Sequence, residues 1–179
     1  MKISKSLKLI LSGLSNFIKK KSSLLLFLLL FPTPSSALSQ AEHTFIRQID
    51  YCLSQLYKRI DEDRHIDRQI IIAMASLESN YGRSRFALEG YNFFGIRTNN
   101  LDRPHIKPKG YKNPNFGLIK FKHFCESVNY TVWTLNDHPA HKKFSKSKNV
   151  NDLINWATDP DYIKKIKERI KTHSEKSHN

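Results

Sequence analysis

Glu78 is the residue whose type and setting could do acid–base chemistry. It closes an almost wholly apolar stretch. Counting back three, four and seven positions along a helix places Ala75, Met74 and Ile71 on its face. A carboxyl beside apolar surface loses hydration, and a helix C-terminus turns the negative pole of the backbone dipole toward it. Both effects raise a carboxyl pKa, and an acid that keeps its proton near neutral pH can give it to a leaving group. On spacing alone, a solvated glutamate at a helix end is the favoured reading. Asp102 is the one acid between Gly90 and Cys125, on a loop beside Asn100 and Arg103. A loop Asp beside Arg suits a turn or surface pair.

The elements that must carry these groups read as mainly helical. Phe45, Ile49, Cys52, Leu53, Leu56 and Ile60 recur at helical spacing within 43–60, and 61–64 break the pattern into a loop. The spacing predicts a buried helix over about 66–80, stopped by Asn80 and Gly82. Ser84 can cap a short helix through Leu88 that Gly90 ends, with Arg85 and Glu89 four apart as a surface pair. Between Phe93 and Phe121, Asn, Pro and Gly punctuate short extended pieces such as 94–97 and 118–121, an irregular β-hairpin lobe. Phe124, Val128, Val132 and Leu135 mark a further helix. Others are expected near 139–147, 151–157 and 160–171, with Asn151 and Asp159 as caps, Pro160 at a first helical position and a frayed polar end after Thr172. The fold class is α+β, mainly helical, with a small β lobe after the most buried helix.

With 179 residues, net charge +14 and 39% hydrophobic residues, the chain is one basic domain's worth and too apolar for wholesale disorder. Two cysteines exclude a disulfide-dense mini-protein and a Cys₄ zinc site. Cys52 and Cys125 could pair, although Cys52 on an apolar stripe equally suits a buried thiol. Six lysines and no acid precede residue 38, followed by the apolar block 24–31 and small residues through Ala37. This is the pattern of a signal peptide over 1–37, cut after Ala37. The apolar block is too short to span a bilayer, so no stable membrane span is expected in the remaining single domain, 38–179, whose core runs over about 43–171. That domain keeps +8 of the charge and is expected to be exported, to the periplasm or cell envelope, where it meets an anionic polymer or surface. No nucleic-acid motif is present. His138 and His141 flank Pro139 without a third ligand, so neither a metal nor another cofactor is expected, and the protein is expected to be a monomer.

The words around Glu78 narrow this further. Ala75-Ser76-Leu77-Glu78-Ser79-Asn80-Tyr81-Gly82, Ser84-Arg85-Phe86-Ala87 and Asn92-Phe93-Phe94-Gly95-Ile96 resemble A-L-E-S-G-W-G, S-R-x-A and N-N-L-F-G-I of the bacterial glucosaminidase domain. Phe121 with Ser127-Val128, Leu135-Asn136-Asp137-His138-Pro139-Ala140-His141 and Trp156-Ala157-Thr158-Asp159-Pro160-Asp161-Tyr162 continue the likeness in order, nearest to bax-type members.

The resemblance implies a lysozyme-like α+β fold and an endo-β-N-acetylglucosaminidase acting on peptidoglycan glycan strands, with Glu78 as general acid and Asp102 as the candidate second carboxylate, or substrate assistance by the N-acetyl group in its place. Rival readings are a lytic transglycosylase, which needs one carboxyl, and a weakly active wall-binding relative. Tyr81, Tyr111 and Trp156 become candidate sugar platforms, and Tyr162 either a substrate contact or core. Asn92 would hold the acetamido group or orient the turn beside Glu78. The chain departs from the family where His141 and Trp156 replace tyrosines. A tryptophan can stack on a sugar but places no phenolic oxygen there.

Overall fold

The computed structural model describes residues 38–112 and 114–176. The expected leader, 1–37, lies outside them. The first helix, α1 (Gln40–Tyr57), begins at a capping box: Ser39 accepts from the Glu42 amide while the Glu42 carboxylate accepts from that of Ser39. Its apolar stripe buries Phe45, Ile49, Cys52 and Leu53. Residues 62–64, expected as plain loop, wind into a single 3₁₀ turn (Glu62–Arg64).

Next comes α2 (Arg68–Ser79), capped by Asp67, whose side chain accepts from the Gln69 amide. Every residue from Ile70 to Ser76 is buried in it. It packs chiefly on the last helix, α6 (Tyr162–Lys176), and on α1. The stop is sharp because Asn80 and Tyr81 both take positive φ, +50° and +54°.

Ser84 caps α3 (Arg85–Gly90) by accepting from the Ala87 amide, and Arg85 pairs with Glu89 at 3.2 Å. The turn after α3 is made by Tyr91 at φ +49°, not by Gly90. Gly90 serves a close approach instead: a Cβ there would stand 2.7 Å from Ile106 Cδ1 and 3.3 Å from the Lys120 Cα.

The lobe is a three-stranded antiparallel sheet, one strand more than a hairpin. Its strands are β1 (Arg97–Thr98), β2 (His105–Ile106) and β3 (Gly117–Ile119). Fully buried β3 is central: Leu118 faces Arg97 on one side and Ile106 on the other.

Helix α4 (Phe124–Asp137) returns the chain to the body, and Cys125 in its first turn is disulfide-bonded to Cys52 of α1. Of the two states open to these cysteines, the cross-link is the one adopted. A 3₁₀ turn (Pro139–His141) leads into α5 (Lys142–Ser147). Asn149, rather than Asn151, caps the 3₁₀ helix Val150–Asn155, accepting from the Asn151 amide. Asp159 accepts from the Asp161 amide just ahead of α6. The expected fraying after Thr172 does not occur: α6 continues to Lys176 because His173 is buried against Tyr81. Among the described residues no helix is long and apolar enough to cross a membrane.

Candidate active site

Glu78 lies in the last turn of α2, half-buried, on the wall of a cavity of about 420 Å³ between the helical body and the lobe. Phe94, Gly95, Ile96 and Arg97 line one side, and His141, Trp156, Ala157 and Thr158 the other. Burial raises the Glu78 carboxyl above the ordinary range, opposed in smaller measure by the neighbouring Tyr162 hydroxyl and Trp156 indole, while the charge of Asp159 adds to the rise. The buried Tyr162 hydroxyl has no partner at hydrogen-bonding geometry, and burial with the adjoining carboxylate pushes its own pKa upward. The result is a carboxyl short of water beside a phenol and an indole.

The opposite wall depends on Asn92, which is buried and fully used. Its amide donates to the carbonyls of Ile96 (2.9 Å) and Ile119 (3.0 Å), and its oxygen accepts from the Ile96 amide at 2.9 Å. These bonds fasten the 92–96 turn to β3. Gly95, at φ +63°, sits where a Cβ would be 3.8 Å from Glu78 Oε2. Of the two roles open to Asn92, the geometry gives it the turn, since no amide group is left for a ligand. Asn92→Ala removes three hydrogen bonds at once, although the Ile96 carbonyl keeps the Ile119 amide at 2.9 Å, and is expected to cost about 3 kcal/mol of stability, read as a lower urea midpoint. An unchanged midpoint would show that the turn holds without it.

Trp156 lines the cavity, with its ring 5.6 Å from that of His141. His141 is 7% exposed with Nδ1 unpartnered, and burial together with the charge of His138 lowers its pKa. Removing the indole N–H by Trp156→Phe takes away a polar neighbour that favours the charged form of Glu78. The Glu78 pKa is therefore expected to rise further, and the alkaline fall of any activity that needs its proton to move to higher pH. A pH–rate profile checks the direction; a shift to lower pH would mean that the indole does not serve the carboxylate.

The other sequence candidates sit elsewhere. Tyr81 is itself the second of the two positive-φ residues that end α2, and its ring turns away from the Glu78 cavity. There its hydroxyl accepts from Arg169 Nη1 at 2.7 Å and meets His173 Nε2 at 3.2 Å, lining a different, apolar groove. Tyr111 is 60% exposed on the lobe, edge-on to Phe116 and away from the Glu78 cavity. Asp102 is exposed on the turn between β1 and β2, its amide donating to Asn100 Oδ1, and it does not line the cavity. Glu78 is the one carboxylate among the described residues that does. Phe93 and Phe94 are buried, as expected of core. Arg97 and Thr158 were not foreseen as lining residues, and the signal was available: Arg97 directly follows Asn92–Ile96, and Thr158 lies within Trp156–Tyr162. Among the described residues no cluster of His, Cys, Asp or Glu could hold a metal ion.

The sequence profile of the glucosaminidase family, described as mannosyl-glycoprotein endo-beta-N-acetylglucosaminidase, matches residues 54–175. A putative endo-beta-N-acetylglucosaminidase of Streptococcus pneumoniae is 27% identical over 111 residues, covering 62% of this chain and 15% of that protein. Protein bax of Escherichia coli is 34% identical over 95 residues, covering 52% of this chain and 31% of bax. The chain thus spans under a third of the length of either relative. Among solved structures, the catalytic domain of the autolysin Auto from Listeria monocytogenes superposes with a TM-score of 0.57 at 22% identity, over 89% of this chain and 97% of that one. A C-terminally truncated glycoside hydrolase domain of FlgJ from Salmonella typhimurium gives 0.56 at 20% identity, over 75% and 98%. These likenesses are of fold.

Proposed function

The chain belongs to the glucosaminidase family, and from that premise we propose that it is an exported peptidoglycan hydrolase, an endo-β-N-acetylglucosaminidase cutting β-1,4 bonds of wall glycan. The observation that carries the reading is the water-starved Glu78 carboxyl on the wall of a sugar-sized cavity. With its pKa raised, Glu78 retains the proton that the leaving glycosidic oxygen needs. No second carboxylate lines the cavity among the described residues. The group that supports the developing cation is then the substrate's own acetamido oxygen, which closes a ring on the anomeric carbon as Glu78 protonates the leaving oxygen. In the second step water attacks the anomeric carbon, the bond to the acetamido oxygen breaks, and the Glu78 carboxylate takes the water's proton. Asp102 has no part in this scheme. Trp156, beside Glu78, offers its face to the sugar, and Tyr162 shields the carboxyl from water. Tyr81 and Tyr111 are not sugar platforms in this reading.

A disulfide joining two helices fits an oxidising compartment, outside the cytoplasm, as wall cutting requires. Cleavage after Ala37 accounts for the basic, then apolar, then small-residue leader. Mass spectrometry of digested sacculi tests the reading: N-acetylglucosamine at the new reducing ends is expected. The lone carboxylate gives the lytic transglycosylase reading its one support, and 1,6-anhydromuramyl ends would decide for it.

A further inference from the structure

The charge of the folded chain is very unevenly placed. Residues 97–123 hold seven cations (Arg97, Arg103, Lys107, Lys109, Lys112, Lys120 and Lys122) and one acid, Asp102, so the lobe carries +6 of the +8 in 38–179. Every ion pair among the described residues lies on the helical body instead, as in Arg64–Asp137, Arg68–Asp50 and Lys165–Asp159. The five lobe lysines are exposed and none is ion-paired among the described residues, although the Lys122 amide donates to the Glu126 carboxylate at 2.7 Å. Like charges held together without counter-charge repel one another, and an anionic partner relieves that repulsion.

The patch is also continuous with the cavity. Arg97 lines the Glu78 cavity, and its guanidinium lies 4.9 Å over the Phe116 ring. Phe116 in turn meets Tyr111 edge-on at 5.5 Å. Both rings line a second hollow of about 210 Å³ with Lys107 and Lys112 at its rim. A polymer whose sugar occupies the cavity would therefore run on to a surface of aromatic faces and free ammonium groups.

The geometry points to the β lobe as the binding surface for the acidic peptide stems borne by the glycan strand, their carboxylates meeting Lys107, Lys109 and Lys112 while the sugar sits at Glu78. The inference rests on the glycan-cleaving reading and names which wall substrate that site prefers: stem-bearing strands over bare ones. Exposed pairs of this kind contribute little individually and act together, and salt screens them.

Steady-state cleavage by the purified protein is compared with Lys107→Gln/Lys109→Gln/Lys112→Gln, on strands carrying stems and on strands stripped by an amidase. On stemmed strands the triple variant is expected to raise KM about fivefold, and about 0.5 M salt to abolish the difference. On stripped strands the two proteins are expected to differ by less than about twofold. A body control of equal charge change, Lys58→Gln/Lys164→Gln/Lys167→Gln, is expected to leave KM in place. An equal KM rise on both substrates, or none on stemmed strands, overturns the stem-binding surface. Co-sedimentation with stemmed and stripped sacculi separates this from failure of the catalytic reading: a protein that cuts nothing but loses stemmed binding only in the lobe variant keeps the surface and discards the chemistry. Loss of binding to phosphatidylglycerol vesicles with stemmed binding intact assigns the lobe to lipid and overturns the inference.

Discussion

Glu78→Gln is expected to lower the rate of glycan cleavage about a thousandfold, the scale of a lost general acid. The amide keeps the side-chain volume beside Tyr162 and Trp156 but has no proton of suitable acidity to give. The loss is expected without loss of fold, and the sign of the Glu78 shift says why. A carboxyl whose folded pKa is raised above its unfolded value has its full stabilising effect at low pH and loses it as pH rises from the unfolded toward the folded pKa. At neutral pH the wild-type protein therefore holds a carboxyl that is costly to ionise, and Gln removes that cost. The variant's melting temperature at pH 7 is expected to equal or exceed the wild-type value. At low pH, where both side chains are neutral, the two values should converge. Reducing-end release from sacculi, measured beside a thermal melt, checks both halves. Wild-type turnover in the Gln variant would remove Glu78 from the chemistry.

The same shift fixes the shape of the pH–rate profile. As the proposed donor Glu78 works while protonated, so activity is expected to fall as pH rises through its pKa, above where an ordinary glutamate would lose its proton. His141 carries a shift of opposite sign, its pKa lowered by burial and by the charge of His138. A neutral imidazole in the cavity wall adds no positive charge to favour ionisation of Glu78. Both shifts favour the neutral forms of these two groups, in a cavity that Arg97 also lines.

Much of this site can be read from the residue order because its parts are local. The helix bearing Glu78 is apolar almost all round, and its stop at Asn80 is a residue type that tolerates positive φ. Asn92 and Gly95 stand in one short turn, and the turn explains both. Tyr81 misleads for a physical reason. Three residues beyond Glu78, it would share that face if the helix went on, but two successive residues at positive φ reverse it. Tyr111 and Asp102 mislead because strands of two or three residues carry no periodicity from which to tell which loop meets the body. The end of α6 was illegible for a related reason. Thr172 through Lys176 is polar throughout, and His173 is buried only because Tyr81 and Arg169 lie opposite it.

The pairing of Cys52 with Cys125 was equally hidden, since a buried thiol fits the α1 stripe as well as a bridge does, and its loss is expected to show the largest stability effect in the molecule. The bridge closes a segment with a sequence separation of 73 residues that contains α2, α3 and the whole lobe. Restricting so long a loop in the unfolded chain corresponds to about 4 kcal/mol in the chain-entropy picture. For a domain of this size that is roughly 10 °C of melting temperature. Cys52→Ala/Cys125→Ala, or the wild-type protein in reductant, is expected to show such a drop. Neither sulfur lines the Glu78 cavity, so the rate of cleavage well below the melting point should be unaffected. An oxidised and a reduced protein that melt together would mean that packing of α1 on α4 already holds that loop closed. The bridge would then bear on the compartment in which the chain folds and have little bearing on its stability.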